Sequence, residues 1–106
     1  MSQYAVVLIT APDEQTAEMI AKALVEQELA ACVNIIPSIR SIYSWDGSIC
    51  DDSEVMMVVK TIAEKFDKLE AVVKDIHSYD VPEIILLPIE KGSKNYLQWI
   101  DTCVSI

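Results

Sequence analysis

Glycine and histidine are nearly missing from this chain: of 106 residues, two are glycine, Gly47 and Gly92, and one is histidine, His77. A Gly-poor chain that is 52% hydrophobic excludes flexible linkers and low-complexity disorder. There is no Gly-rich phosphate loop and no Gly-x-Ser-x-Gly elbow, so an enzyme of either kind is not indicated. Basic residues are also scarce. Eight Lys and Arg, scattered singly, stand against 17 Asp and Glu, for a formal charge of -9. A nucleic-acid backbone would be repelled by that balance, which speaks first to solubility. No apolar run is long enough to span a bilayer, so a membrane is not an expected partner. Three cysteines, Cys32, Cys50 and Cys103, form no Cys-x-x-Cys pair. The opening Met1-Ser2-Gln3-Tyr4 lacks a basic n-region and enters a strand-like run. Reduced thiols and a cytoplasmic location follow as expectations. The length suits a single domain over residues 1–106, with a sizeable core.

What is present is strong hydrophobic periodicity. Tyr4 to Thr10 is a continuous apolar run, which predicts a strand covered on both faces. Thr10-Ala11-Pro12-Asp13 stops it and offers helix-start chemistry. Ala17, Ile20, Ala21, Leu24 and Val25 then recur at helical spacing, with Glu18, Lys22 and Glu26 four apart on the solvated side. In the next strand, Val33, Ile35, Ile39, Tyr43 and Trp45 share one parity, predicting one covered face. Pro37 lacks a donor and places that strand at an edge or a bulge. Asp46-Gly47 predicts a tight hairpin turn, because both residues tolerate positive φ. The return arm runs through Glu54 to Thr61. Phe66, Leu69, Val73 and Ile76 define a second helix, with Glu64 and Lys68 as a surface pair. A strand over 83–89 follows, and Ser93 opens a last helix with Tyr96, Trp99, Ile100 and Cys103 as its apolar face.

Strand, helix, strand, strand, helix, strand predicts an α+β, ferredoxin-like βαββαβ sandwich with a long hairpin between its second and third strands and an added C-terminal helix. Right-handed crossovers place the first and third strands centrally. The fourth strand is then too apolar for an open edge, and the second sheet face has no cover. Neighbouring subunits remove both problems, so an oligomer is expected.

These residues also resemble the CutA family of divalent-cation tolerance proteins. The resemblance is carried by Thr10-Ala-Pro-Asp13, Leu29-Ala-Ala-Cys-Val-Asn-Ile-Ile-Pro37, Ser41-Ile-Tyr-Ser-Trp-Asp-Gly47, Glu54-Val-Met-Met-Val-Val-Lys-Thr61, His77-x-Tyr79 with Val81-Pro-Glu-Ile84, and Tyr96-Leu-Gln-Trp-Ile100. It implies a tight homotrimer similar in architecture to PII signalling proteins, and binding of divalent metal, copper first and zinc next. Ser78 stands where the family usually has proline, which frees the backbone beside His77.

The resemblance points to His77 and Cys32 as metal ligands, an imidazole and a thiolate suited to copper or zinc. Topology sets them near opposite ends of one subunit, on the order of 20 Å apart from strand rise. A shared site would need a second subunit. The plainer alternative is a helix-capping histidine and a packing thiol. The resemblance also gathers Glu54, Lys60, Glu83, Tyr79, Tyr43 and Trp45 around an inter-subunit cleft, where Lys60 would meet a carboxylate or an anionic ligand. Structural pairing and aromatic interface packing compete with that reading. Asp51, Asp52 and Glu54 read as an acidic turn, since hard-metal sites need more converging oxygens. The leading expectation is a trimer that binds copper-type cations. The alternatives are a PII-like sensor for a small anionic ligand and a scaffold that recruits an unidentified protein partner.

Overall fold

The computed structural model describes residues 3–104. Met1 and Ser2, read above as the entry to the first strand, lie outside them. The elements are β1 (Tyr4–Ala11), α1 (Glu14–Glu26), β2 (Cys32–Trp45), β3 (Ser48–Ile62), a 3-10 turn (Ala63–Lys65), α2 (Phe66–Ile76), β4 (Ile84–Pro88) and α3 (Lys94–Cys103). The sheet is antiparallel throughout in the order β2-β3-β1-β4, with β1 and β3 central as expected. Among the described residues no helix is long and apolar enough to cross a membrane.

One sheet face carries the core. Val7 and Ile9 of β1 and Val55, Met57 and Val59 of β3 pack under Ala17, Ile20 and Leu24 of α1 and Leu69 and Val73 of α2. Burial of this apolar surface is the main drive to fold. Asp13 starts α1: its carboxylate accepts the Thr16 N–H at 2.7 Å and satisfies one of the orphan donors of the first turn. α1 ends without glycine, with Glu28 in the left-handed region at φ 58°. A smaller cluster of Ala31, Ile62, Ile100 and Val104 seats α3, and the Tyr4 hydroxyl donates to Asp101 to tie that helix to β1.

Asp46 and Gly47 adopt φ 51° and 77°, the two-residue turn that their identities predict, flanked by the Trp45–Ser48 pair. Pro37 satisfies both of its expectations. β2 is an edge strand, and its register against β3 slips by one residue between Ile36 and Ile39.

That bulge corrects the parity reading. Val33 and Ile35 pair with Val59 and Met57 on the helix-covered face, whereas Ile39 pairs with Glu54. Ile39, Tyr43 and Trp45 therefore lie on the other face, because one inserted residue inverts every later side chain. β1 differs as well. From Tyr4 to Ile9 its residues alternate between half-buried and buried, so one face of the strand is only partly covered within a chain until Thr10 and Ala11, which are both buried.

Three helix-face assignments shift. Val25 is exposed, one position beyond the buried stripe. Tyr96 and Trp99 are exposed and pack on each other, while Leu97 and Ile100 face the core. Ser93 is the N-cap residue of α3, but its side chain makes no capping bond. Glu64 sits in the 3-10 turn ahead of α2, so it lacks α-helical spacing to Lys68; the i,i+4 ion pair of α2 is Glu70–Lys74 at 3.3 Å.

Candidate functional site

β1 stops at Ala11 opposite Val55, so the arms of the hairpin beyond Glu54 continue as a two-stranded ribbon past the sheet. The segment 77–83 crosses the same end on its way from α2 to β4. Between ribbon and segment lies a cavity of about 900 Å³, lined by Thr10, Arg40, Ser41, Ile42, Tyr43, Trp45, Asp52, Glu54, Ser78, Tyr79, Asp80, Val81 and Glu83.

His77 fastens the wall. It is buried at the C-terminus of α2, and its Nε2 lies 2.6 Å from the Thr10 carbonyl while Nδ1 accepts the Tyr79 N–H at 3.1 Å. A carbonyl can only accept, so Nε2 carries the proton and the ring is the neutral tautomer. Both nitrogens are engaged, and a metal at either would displace a protein partner. The freedom offered by Ser78 is removed by these two bonds, which fix the ring.

Tyr79 packs on the imidazole with ring centroids 4.6 Å apart and donates its hydroxyl to Glu54 Oε2 at 3.0 Å. Burial, then the Glu54 carboxylate, push its phenol up to about 12. Across the cavity Tyr43 donates to Asp52 Oδ2 at 2.6 Å. Arg40 holds Asp51 through two bonds of 2.9 and 2.6 Å, a bidentate pair. Burial and the neighbouring Glu54 raise the carboxyl of Glu83 above its ordinary value.

Five of the six expected cleft residues thus meet here: Glu54, Glu83, Tyr79, Tyr43 and Trp45. Lys60 does not. It pairs with Cys32 at the far end of β3, its Nζ 3.9 Å from Sγ. Cys32 and His77 are likewise not brought together. Cys32 lies across from Lys60 and then Val6, two strands and four residues from Thr10, or roughly 16 Å by strand geometry. Cys32, Cys50 and Cys103 are all unpaired.

Asp51 and Asp52 point to opposite faces of β3, one to Arg40 and one to Tyr43. Among the described residues no three His, Cys, Asp or Glu side chains are grouped to hold a metal ion. The partnerships of Arg40 and Asp52 escaped the sequence reading. Counting outward from the Asp46-Gly47 turn was the signal for them, since it places Ser41 opposite Asp52 and Ile42 opposite Asp51.

A four-stranded antiparallel sheet under two helices, extended by a long hairpin and closed by a third helix, defines a ferredoxin-like α+β protein. The family model described as CutA1 divalent ion tolerance protein matches residues 5–103, and the chain belongs to that family. The divalent-cation tolerance protein CutA of Thermus thermophilus is 54% identical over 95 residues, covering 90% of this chain and 92% of that protein. Human protein CutA is 50% identical over 92 residues; the match covers 87% of this chain but about half (51%) of the human protein. A solved structure described as the periplasmic divalent cation tolerance protein CutA from Archaeoglobus fulgidus superposes with a TM-score of 0.93 at 47% identity. It covers 96% of this chain and 99% of that one.

Proposed function

We infer that this single-domain protein acts as a homotrimer that takes up divalent cations of the copper type, with zinc as the second choice. The observation that carries the cation reading is membership of a divalent-ion tolerance family over almost the whole chain. Support for the assembly comes from the sheet. Its helix-free face presents Val6 and Leu8 of β1, Met56 and Val58 of β3, Ile36 of β2, and Ile85 and Leu87 of β4. Ile36, Ile85 and Leu87 remain 42–48% exposed in one chain. A continuous apolar face of this kind marks an association surface.

Within one chain His77 and Cys32 are too far apart to share an ion, so a site using both requires two chains. A soft thiolate with an imidazole would rank copper and zinc above magnesium. Three unpaired thiols favour the cytoplasm as the working compartment. Native mass spectrometry during copper(II) titration, with zinc as comparator, tests the reading. The expected result is a trimer that takes up about three copper ions, one per chain as one thiolate–imidazole pair requires. In His77→Ala that uptake should fall at least tenfold with the trimer retained. A trimer that stays bare would remove the metal function, and a monomer would remove the assembly.

A further inference from the structure

The cavity at the end of the sheet has a charge and a wall that the divalent-metal reading does not use. Asp52 and Glu54 project from the ribbon, and Asp80 and Glu83 from the crossing segment. The one base on its lining, Arg40, is already held by Asp51, which is not a lining residue. An anion entering from solvent would thus face four carboxylates and, among the described lining residues, no free cation. Lys60, the residue expected to receive an anion, stands at the opposite end of β3.

A compact ion is also poorly served. Among the described residues the four carboxylates are not grouped to hold one: Glu54 is engaged by the Tyr79 hydroxyl and Asp52 by the Tyr43 hydroxyl. Hard cations need several oxygens around one point. Between the acids stand the rings of Trp45, Tyr43 and Tyr79, exposed by 56, 41 and 37%. Aromatic faces attract ammonium groups, and they also cover the methylene chains that join such groups. A volume of about 900 Å³ is in the range that holds a small organic molecule.

We propose that this cavity binds a linear organic polycation, with protonated amines paired to the carboxylates of Glu54 and Glu83 and the connecting methylenes laid over Trp45 and Tyr43. Glu83 gives the site a pH dependence. Its neighbours are the Glu54 carboxylate and the buried wall, both of which favour the protonated form. The polycation needs it ionised, so binding strengthens as pH rises through the raised value, and it releases a proton.

The inference is independent of the metal reading, because it uses neither His77 nor Cys32 as a ligand. Isothermal titration of the full chain with spermidine tests it, with magnesium and octane-1,8-diol as comparators at matched ionic strength. One spermidine per cavity is expected, weakened at least tenfold in Glu54→Gln/Glu83→Gln. Trp45→Ala, on the exposed ribbon, should weaken it several-fold, as loss of a cation–π contact does. Glu26→Gln/Glu28→Gln removes the same charge from the far end of α1 and should leave the affinity unchanged. Equal loss in that control pair, equal binding of magnesium or of the diol, or no heat with spermidine would each overturn the proposal. Copper uptake by the same preparation is read separately, so failure of one reading leaves the other standing.

Discussion

At the residue scale, the acids of this chain divide by what their surroundings do to the charged form. Asp13 receives the Thr16 N–H, which holds its carboxyl below the ordinary range. It contributes stability that is present above the unfolded-state value and is lost as pH falls through the depressed one. Glu83 works in the other sense. Burial and Glu54 raise it, so its contribution is complete below the ordinary value of 4.5 and is lost as pH rises through the raised value. Glu83→Gln should therefore melt higher than the parent at neutral pH, with the difference vanishing as pH falls below 4.5. Thermal unfolding followed by circular dichroism across that range checks it; a difference that does not change with pH would refute it. His77 shows how little a residue type says about its employment. The family resemblance offers it as a ligand and the plain reading as a helix-end residue; in the folded chain burial and two hydrogen bonds make it the clamp between α2, β1 and the 77–83 segment.

At the element scale, most boundaries were legible because each has a chemical signal. The Asp46-Gly47 turn, the Asp13 cap and the Pro37 irregularity all form where their side chains require. The faces of the hairpin were not legible, because the consequence of Pro37 depends on which partner residue is skipped. Ile36 pairs with Met56 and Ile39 with Glu54, so three steps on β2 match two on β3. Only the register reveals that Tyr43 and Trp45 turn away from the helices. The end of α1 offers a sharper test. Glu28 holds φ 58°, a conformation that costs an L-residue roughly 1–2 kcal/mol and costs glycine little. Glu28→Gly should raise the unfolding free energy by about 1 kcal/mol in urea titration, net of the entropy that glycine adds to the unfolded chain. A decrease would show that the Glu28 side chain contributes more than its backbone costs.

At the scale of the whole molecule, one face of the sheet is a finished core and the other is apolar but open. β4 has a single partner strand and carries Ile85 and Leu87 on the open side. If that face joins subunits, Leu87→Lys should dissociate the trimer and leave far-UV circular dichroism unchanged, because Leu86 and Ile84 still pack against the helices. Sedimentation velocity reads the outcome directly. An assembly indifferent to Leu87→Lys would move the interface elsewhere, and loss of secondary structure would show that β4 needs no partner subunit to explain its composition.

Hydrophobic period, turn chemistry and the order of elements are local properties, written in neighbouring residues, and they alone determined the ferredoxin-like plan and its long hairpin. Which side chains meet is a property of register and of distance across strands. Tertiary structure alone therefore decided that five cleft residues share one cavity, that Lys60 joins Cys32 at the other end, and that His77 spends both nitrogens on the protein itself. For Tyr43 and Trp45 the physical reason is the strand period of two, since a single inserted residue at Pro37–Ser38 exchanges the faces of β2 beyond it. For Lys60 and His77 it is that partners distant in sequence are set by strand pairing and by the docking of α2.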